Sequence, residues 1–287
     1  MAVRSAAGTG APHPQYRSRA LPLVYLFLAG LAIFCVVPFA WIVLGSVDPN
    51  AGVHLQIPAW VDLSAYVRFL TDPMFSRFLL NSLIMAGGAT ILVIFTSALA
   101  GYALSRFAFR GRRVLMFGIL MTRIIPVSAT IAPLYLIVQW LKLVDTYQGM
   151  IVVLAAQQLP LAIWLMKGFF DTVPGELEEA AWVDGASRLS SALRIVLPLA
   201  APGVGAVALF AFIEAWGDFL TPLILITSSD KTPISIGLFQ AFSYRNQVDW
   251  GLLTAISVVY MVPTIVLYLL VRRFLIKATV VGALQGS

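Results

Sequence analysis

The chain has 287 residues, of which 60% are hydrophobic and only 11% charged, and its formal net charge is +6. Soluble domains carry roughly 25% charged residues, so the composition excludes a water-soluble fold and predicts an integral membrane protein. The positive balance does not indicate nucleic acid, because the basic residues flank apolar runs and no basic tract is interleaved with aromatics.

Residues 1–20 are polar, with Arg4, Arg17, Arg19 and two prolines, and are expected to form a cytoplasmic tail. A first span is expected from Leu21 to about Gly45, too long for a secretory signal and interrupted by Pro38. It holds the single cysteine, Cys35, which has no intramolecular partner. Residues 46–77 read as an extracytoplasmic loop. A second span follows from Phe78 to about Leu104, opened by Asn81, with Gly87, Gly88 and Gly101 permitting close helix approach. Arg106, Arg110, Arg112 and Arg113 form the densest basic cluster and assign that end to the cytoplasm.

A third span is expected over Val114–Val138, a fourth over Gly149–Phe170, a fifth over Leu199–Ile226 and a sixth over Gly251–Leu275. An outer loop at 227–250 includes a candidate re-entrant or interfacial piece at Thr232–Phe242. Arg272, Arg273 and Lys277 mark a cytoplasmic exit, so both termini are expected inside. The fold class is therefore all-α: a polytopic membrane protein of about six transmembrane helices, since unpaired backbone groups are not tolerated in lipid. The membrane domain is expected over 21–276, with residues 277–287 a cytoplasmic tail.

Residues 171–198 stand apart as a charged, amphipathic cytoplasmic loop. Pro174 suits a first helical turn, and Glu176, Glu178 and Glu179 favour a helix N-terminus. Leu177, Ala180 and Ala181 give that helix an apolar face, after which Gly185 breaks it. Ser187 is positioned to cap a second short helix that ends at Pro198. The expected element is two small helices joined at a glycine elbow.

The stretch Glu179-Ala180-Ala181, three residues, Gly185, nine residues, Ile195, one residue, Leu197-Pro198 resembles the EAA signature of ABC-importer permeases. The run Asp218-Phe219-Leu220-x-Pro222-Leu223, the segment Ala132–Leu136, Thr146–Gly149, and Gly101–Leu104 before Arg106 are similar to the carbohydrate-import branch of that family. The resemblance implies that the loop is a coupling helix docking on a cytoplasmic ATPase through Glu178, Glu179, Ala180, Ala181, Asp184, Gly185, Leu197 and Pro198. It also implies a heterodimer with a second permease subunit, an ABC ATPase dimer that binds the ATP, an extracytoplasmic solute-binding protein, a sugar substrate and a bacterial inner-membrane location. The terminal Gly282-Ala283-Leu284-Gln285-Gly286 resembles the family's Gly-x-x-Lys-Gly, with Gln285 in place of the lysine.

The chain has no G-x-x-x-x-G-K-[ST] loop, so no ATP site of its own is expected, and no catalytic or metal cluster is apparent. His13 and His54 are isolated. Ionisable groups inside spans are Arg123, Glu214 and Asp218, each costing at least about 2.5–3.5 kcal/mol at membrane depth unless partnered. Two readings stay open: an Arg123–Glu214 pair that only pins helices, or a cavity wall in which Asn81, Arg123, Glu214, Trp216 and Asp218 meet a polar solute. Glycerol phosphate or a polyamine is the alternative cargo, and an ATP-independent secondary transporter is the alternative class.

Overall fold

The computed structural model describes residues 21–285 except 55 and 244–247, and the backbone alone for 21, 241–243 and 275–285. The expected tail at 1–20 lies outside the described residues, as does the side chain of Gln285. Among the described residues the regular structure is helical throughout.

Helix α1 spans Leu21–Gly45 and α2 spans Ser64–Thr71. Helix α3, Pro73–Arg106, starts where Asp72 accepts the Met74 N–H and Pro73 occupies the first turn. Helix α4 is Arg112–Met121 and α5 is Val127–Trp140. Helix α6, Tyr147–Asp171, is capped by Thr146, whose hydroxyl accepts the Gly149 N–H. Short helices α7 (Glu176–Val183), α8 (Arg188–Ser191) and α9 (Leu197–Leu199) follow, and then α10 (Ala201–Gly217) and α11 (Leu220–Leu225). Helices α12 (Ile234–Ser243) and α13 (Trp250–Gln285) complete the chain.

Among the described residues four helices are long and apolar enough to cross a membrane, and up to six spans result if each of two bent pairs counts as one. The expected third span is not one helix. It turns by 102° between Arg112–Ile124 and Val127–Trp140. The cause is local: Thr122–Ile124 tightens to a 3₁₀ turn, and Ile125, held extended ahead of Pro126, cannot stay helical. The expected fifth span also breaks, at Asp218, where the backbone turns extended before α11. A third difference is at Pro174, which precedes α7 by a full residue instead of sitting in its first turn.

The core lies between α3, α6 and α10, with α13 closing one side. Helices α3 and α6 form the largest interface, and small residues allow it. A Cβ on Gly101 would stand 3.0 Å from the Lys167 amide nitrogen, and one on Gly88 would meet Ile151 at 2.6 Å. Gly87, by contrast, faces open space. Helix α1 packs mainly on α13 and exposes nearly every side chain, including Phe27 and Phe34.

Polar clasps hold the end opposite the arginine cluster. Asn81 sits inside α3, not at its start, and is buried. Its amide donates to the Asp230 and Thr232 carbonyls, both at 2.9 Å, and its oxygen accepts the Tyr147 hydroxyl at 2.7 Å. Asp145, at positive φ, accepts from the Thr227 and Ser228 amides and the Ser228 hydroxyl and pairs with Lys231 at 3.2 Å. Burial opposes the Asp145 charge, but the Ser228 hydroxyl, these amides and Lys231 outweigh it and lower the carboxyl from 3.8 to about 2.

Candidate functional site

Two places bring the singled-out residues together. The first is an open cavity of about 930 Å³ walled by α5, α6, α10 and the turns at Thr122–Pro126 and Gly217–Asp218. Its polar lining is Thr122, Arg123, Thr130, Gln157, Gln158, Glu214 and Asp218. The break in the third span points Arg123 across to α10, where its guanidinium meets the Glu214 carboxylate at 3.2 Å and donates to the Gln157 carbonyl at 3.1 Å. Both charges are partly exposed to the cavity, so their attraction is only partly screened.

Asp218 reaches the same wall, though not as the next turn of one helix. Its backbone is extended, and its carboxylate accepts the Thr221 N–H at 3.1 Å and the Thr221 hydroxyl, fixing the start of α11. Gln157 donates to the Thr221 hydroxyl at 3.2 Å, joining α6 to that corner. A separate pocket of about 10 Å³ lies between Leu161, Leu165, Val207 and Phe210 and shares Arg123, Gln158 and Glu214 with the cavity wall. Gln158 borders both, and its buried Oε1 has no hydrogen-bond partner among the described residues.

Two residues expected on this wall lie elsewhere. Trp216 is buried at 3% exposure, stacked between Phe212 and Tyr260, with its indole N–H on the Tyr260 carbonyl at 3.0 Å. It locks α10 to α13, because a residue two positions after Glu214 faces the opposite side of a helix. Asn81 spends its amide on the clasp described above and does not line the cavity. Gln157, Gln158, Thr122 and Thr130 were missed by the sequence reading. Uncharged polar residues in an apolar span carry a weaker signal than an ionisable one, although Gln157-Gln158 is an adjacent pair in the fourth span.

The second place is the elbow, α7 and α8, at the end carrying the arginine cluster. The sequence dictates its shape. Gly185 adopts φ +87°, a conformation that side chains resist, and a Cβ there would meet nothing of this chain. Ser187 caps α8, its hydroxyl accepting the Ser190 N–H at 3.2 Å. The second helix does not run evenly to Pro198. A π turn at Ala192–Val196 leads into α9, which contains Leu197 and Pro198, and the path then bends by 75° into α10.

The elbow divides its residues differently from the expected pattern. Glu178 is buried at 1% exposure, and Ala181 is half-buried. Leu177, Glu179, Ala180, Val183, Asp184, Leu189 and Leu193 face outward, uncovered by this chain. Leu177 and Ala180 thus form an apolar face turned away from the bundle, while a carboxylate faces it.

Residues 94–275 match the family model described as "Binding-protein-dependent transport system inner membrane component". The chain is 33% identical over 279 residues to the trehalose/maltose transport system permease protein MalG of Thermococcus litoralis, covering 94% of this chain and 100% of that one. It is 32% identical to the diacetylchitobiose uptake system permease protein NgcG of Streptomyces coelicolor, over 84% of this chain and 82% of the relative. The crystal structure of a bacterial ABC transporter involved in the import of the acidic polysaccharide alginate superposes with TM-score 0.78 at 26% identity, over 92% of this chain and 99% of that one. A cavity cut by broken spans, an outlying elbow with the EAA spacing and these near-full-length matches lead to one conclusion: this multi-pass membrane protein belongs to the family of inner membrane components of binding-protein-dependent transport systems.

Proposed function

We propose that this chain is one of two permease subunits of an ABC importer and moves a sugar or related polyhydroxylated solute. The observation that carries the reading is the elbow's outward face. Leu177, Val183, Leu189 and Leu193 are exposed among charged residues, and apolar surface outside the hydrocarbon marks a protein interface. The occupant proposed is a cytoplasmic ATPase, because the chain has no phosphate-binding loop to power transport itself. Glu179, Ala180, Asp184 and Gly185 are proposed to meet it directly, with Leu197 and Pro198 linking the elbow to α10.

The arginine-cluster end is assigned to the cytoplasm, and with it both termini. A binding protein delivers solute to the opposite end. Closure of the ATPase pair displaces the elbow, and the helices exchange an outward-open for an inward-open cavity by rigid-body motion. No covalent step falls to this chain.

The wall supports an uncharged polar cargo. Arg123 is neutralised by Glu214, and the amides of Gln157 and Gln158 with the hydroxyls of Thr122 and Thr130 suit a polyol. The second reading is a cationic solute such as a polyamine, favoured by two carboxylates against one guanidinium on the wall. A phosphate-bearing cargo is disfavoured by the same balance.

Uptake by a strain lacking the native transporter, supplied with this chain and its partner subunits, tests the proposal with labelled disaccharide, polyamine and glycerol phosphate. Disaccharide uptake that requires the ATPase is expected. Uptake that persists without any ATPase would overturn the importer reading in favour of a secondary transporter.

A further inference from the structure

The elbow is fastened to one helix in particular, α3. Glu178 Oε2 accepts the Tyr102 hydroxyl at 2.7 Å, and Oε1 pairs with the Arg106 Nε. Arg106 also donates to the Val173 carbonyl at 2.8 Å, so its guanidinium ties the end of α3 to both the entry and the body of the elbow. A second fastening lies beside it. The Arg188 guanidinium sits 5.5 Å from the Phe107 ring and 5.1 Å from the Trp182 ring, joining α8 and α7 to the residue after α3. The Trp182 indole donates to the Ser191 hydroxyl at 2.9 Å, which holds α7 against α8.

The elbow's other connection is of a different kind. Toward α10 the chain passes through the π turn at Ala192–Val196 and the 75° bend before Ala201. Such irregular turns are where helices hinge. A buried carboxylate also gives less stability than a well-packed apolar residue of its size. What a two-pronged, charged contact supplies instead is a fixed register between two elements.

We propose that Glu178 is a positioning residue for transport: it makes the elbow and the end of α3 move as one body. Displacement of the elbow then enters the α3–α6 core directly, and the bend at Ala200 takes up the difference toward α10. The inference rests on the docking of an ATPase at the elbow, but Glu178 itself does not touch that partner. It acts from behind the docking face, through Tyr102 and Arg106.

The test uses the complete complex in proteoliposomes, with both permease subunits, the ATPase and the binding protein. Glu178→Gln keeps the side-chain shape and discards the ion pair. The expected result is an assembled complex in which ATP hydrolysed per solute moved rises at least tenfold, while Arg106→Lys, which keeps the charge, is less affected. An unchanged ratio in Glu178→Gln overturns the proposal. Nitroxides on Leu99→Cys and Glu176→Cys in a Cys35→Ser background give a second reading that needs no change at the pin. Their separation is expected to hold within about 2 Å between nucleotide-free and ATP-bound states, and a change of more than about 5 Å overturns the proposal. Failure of the docking reading looks different: the chain with Glu178 intact would transport without an ATPase.

Discussion

Arg123 and Glu214, 91 positions apart, meet at 3.2 Å on the cavity wall because the third span breaks one residue after the arginine's 3₁₀ turn. Each charge is tolerated in the span through its partner and through the open cavity that both border. Removing either alone leaves an unpaired ion at membrane depth, where the cost of up to about 2.5–3.5 kcal/mol is eased by the open cavity it borders. Arg123→Gln and Glu214→Gln singly are therefore expected to lower membrane levels, as read by quantitative immunoblot. The double variant is expected to restore levels while uptake stays at least tenfold down. Full uptake by the double variant would show that the pair only pins helices.

Arg106→Ala strands Glu178 as a buried carboxylate with no cation. Breaking a buried pair in this way costs about 3–5 kcal/mol. The expected outcome is a clear fall in the thermal midpoint of the purified complex. Tyr102→Phe removes one neutral donor to a charged acceptor and should cost about 1.5–3 kcal/mol. An Arg106→Ala complex as stable as the parent would contradict the buried geometry.

Gly185 separates backbone strain from contact with a partner. A left-handed residue with a Cβ pays roughly 1–2 kcal/mol, whereas asparagine tolerates the conformation better than other residues. Because a Cβ would touch nothing of this chain, Gly185→Asn is expected to fold normally. Weaker co-purification of the ATPase by Gly185→Asn would then report a neighbour lying against the turn. Unchanged co-purification would place the partner elsewhere.

Val183 is 88% exposed on the elbow. Val183→Glu removes apolar surface without disturbing the bundle, so membrane levels should match the parent. Co-purification of the ATPase is expected to fall at least tenfold, corresponding to about 1.4 kcal/mol or more at the interface. Intact co-purification would argue against docking on this face.

The clasp around Asp145 predicts a pH response outside the membrane. Its carboxyl is lowered from 3.8 to about 2, so its contribution is fully present above pH 3.8 and is lost as pH falls toward 2. Amide exchange in residues 227–232 should be flat from neutral pH to about 4 once corrected for intrinsic rates, and protection should fall below that. Asp145→Asn should abolish the acid-dependent step.

The elbow was legible in the sequence because it lies between the apolar spans, where local signals keep their meaning. Gly185 broke the helix and Ser187 capped the next, as those residue types require. The ion pair of Arg123 with Glu214 was likewise legible, since a charge in an apolar span demands a partner. Trp216 and Asn81 were not. In a span that is apolar on every side, the 3.6-residue rhythm does not tell a lipid-facing flank from a packed one, so the direction of Trp216 could not be read. The burial of Glu178 was equally hidden: nothing local distinguishes it from Glu179, and what sets it apart is Tyr102 and Arg106, more than 70 positions earlier.

At 34 residues, α3 is about 51 Å long, against a hydrocarbon thickness of about 30 Å. That length crosses the hydrocarbon with room to tilt and still reaches both aqueous sides without a break. Asn81 near one end and Tyr102 and Arg106 at the other therefore belong to one continuous rod, so a tilt imposed at either end is felt at both.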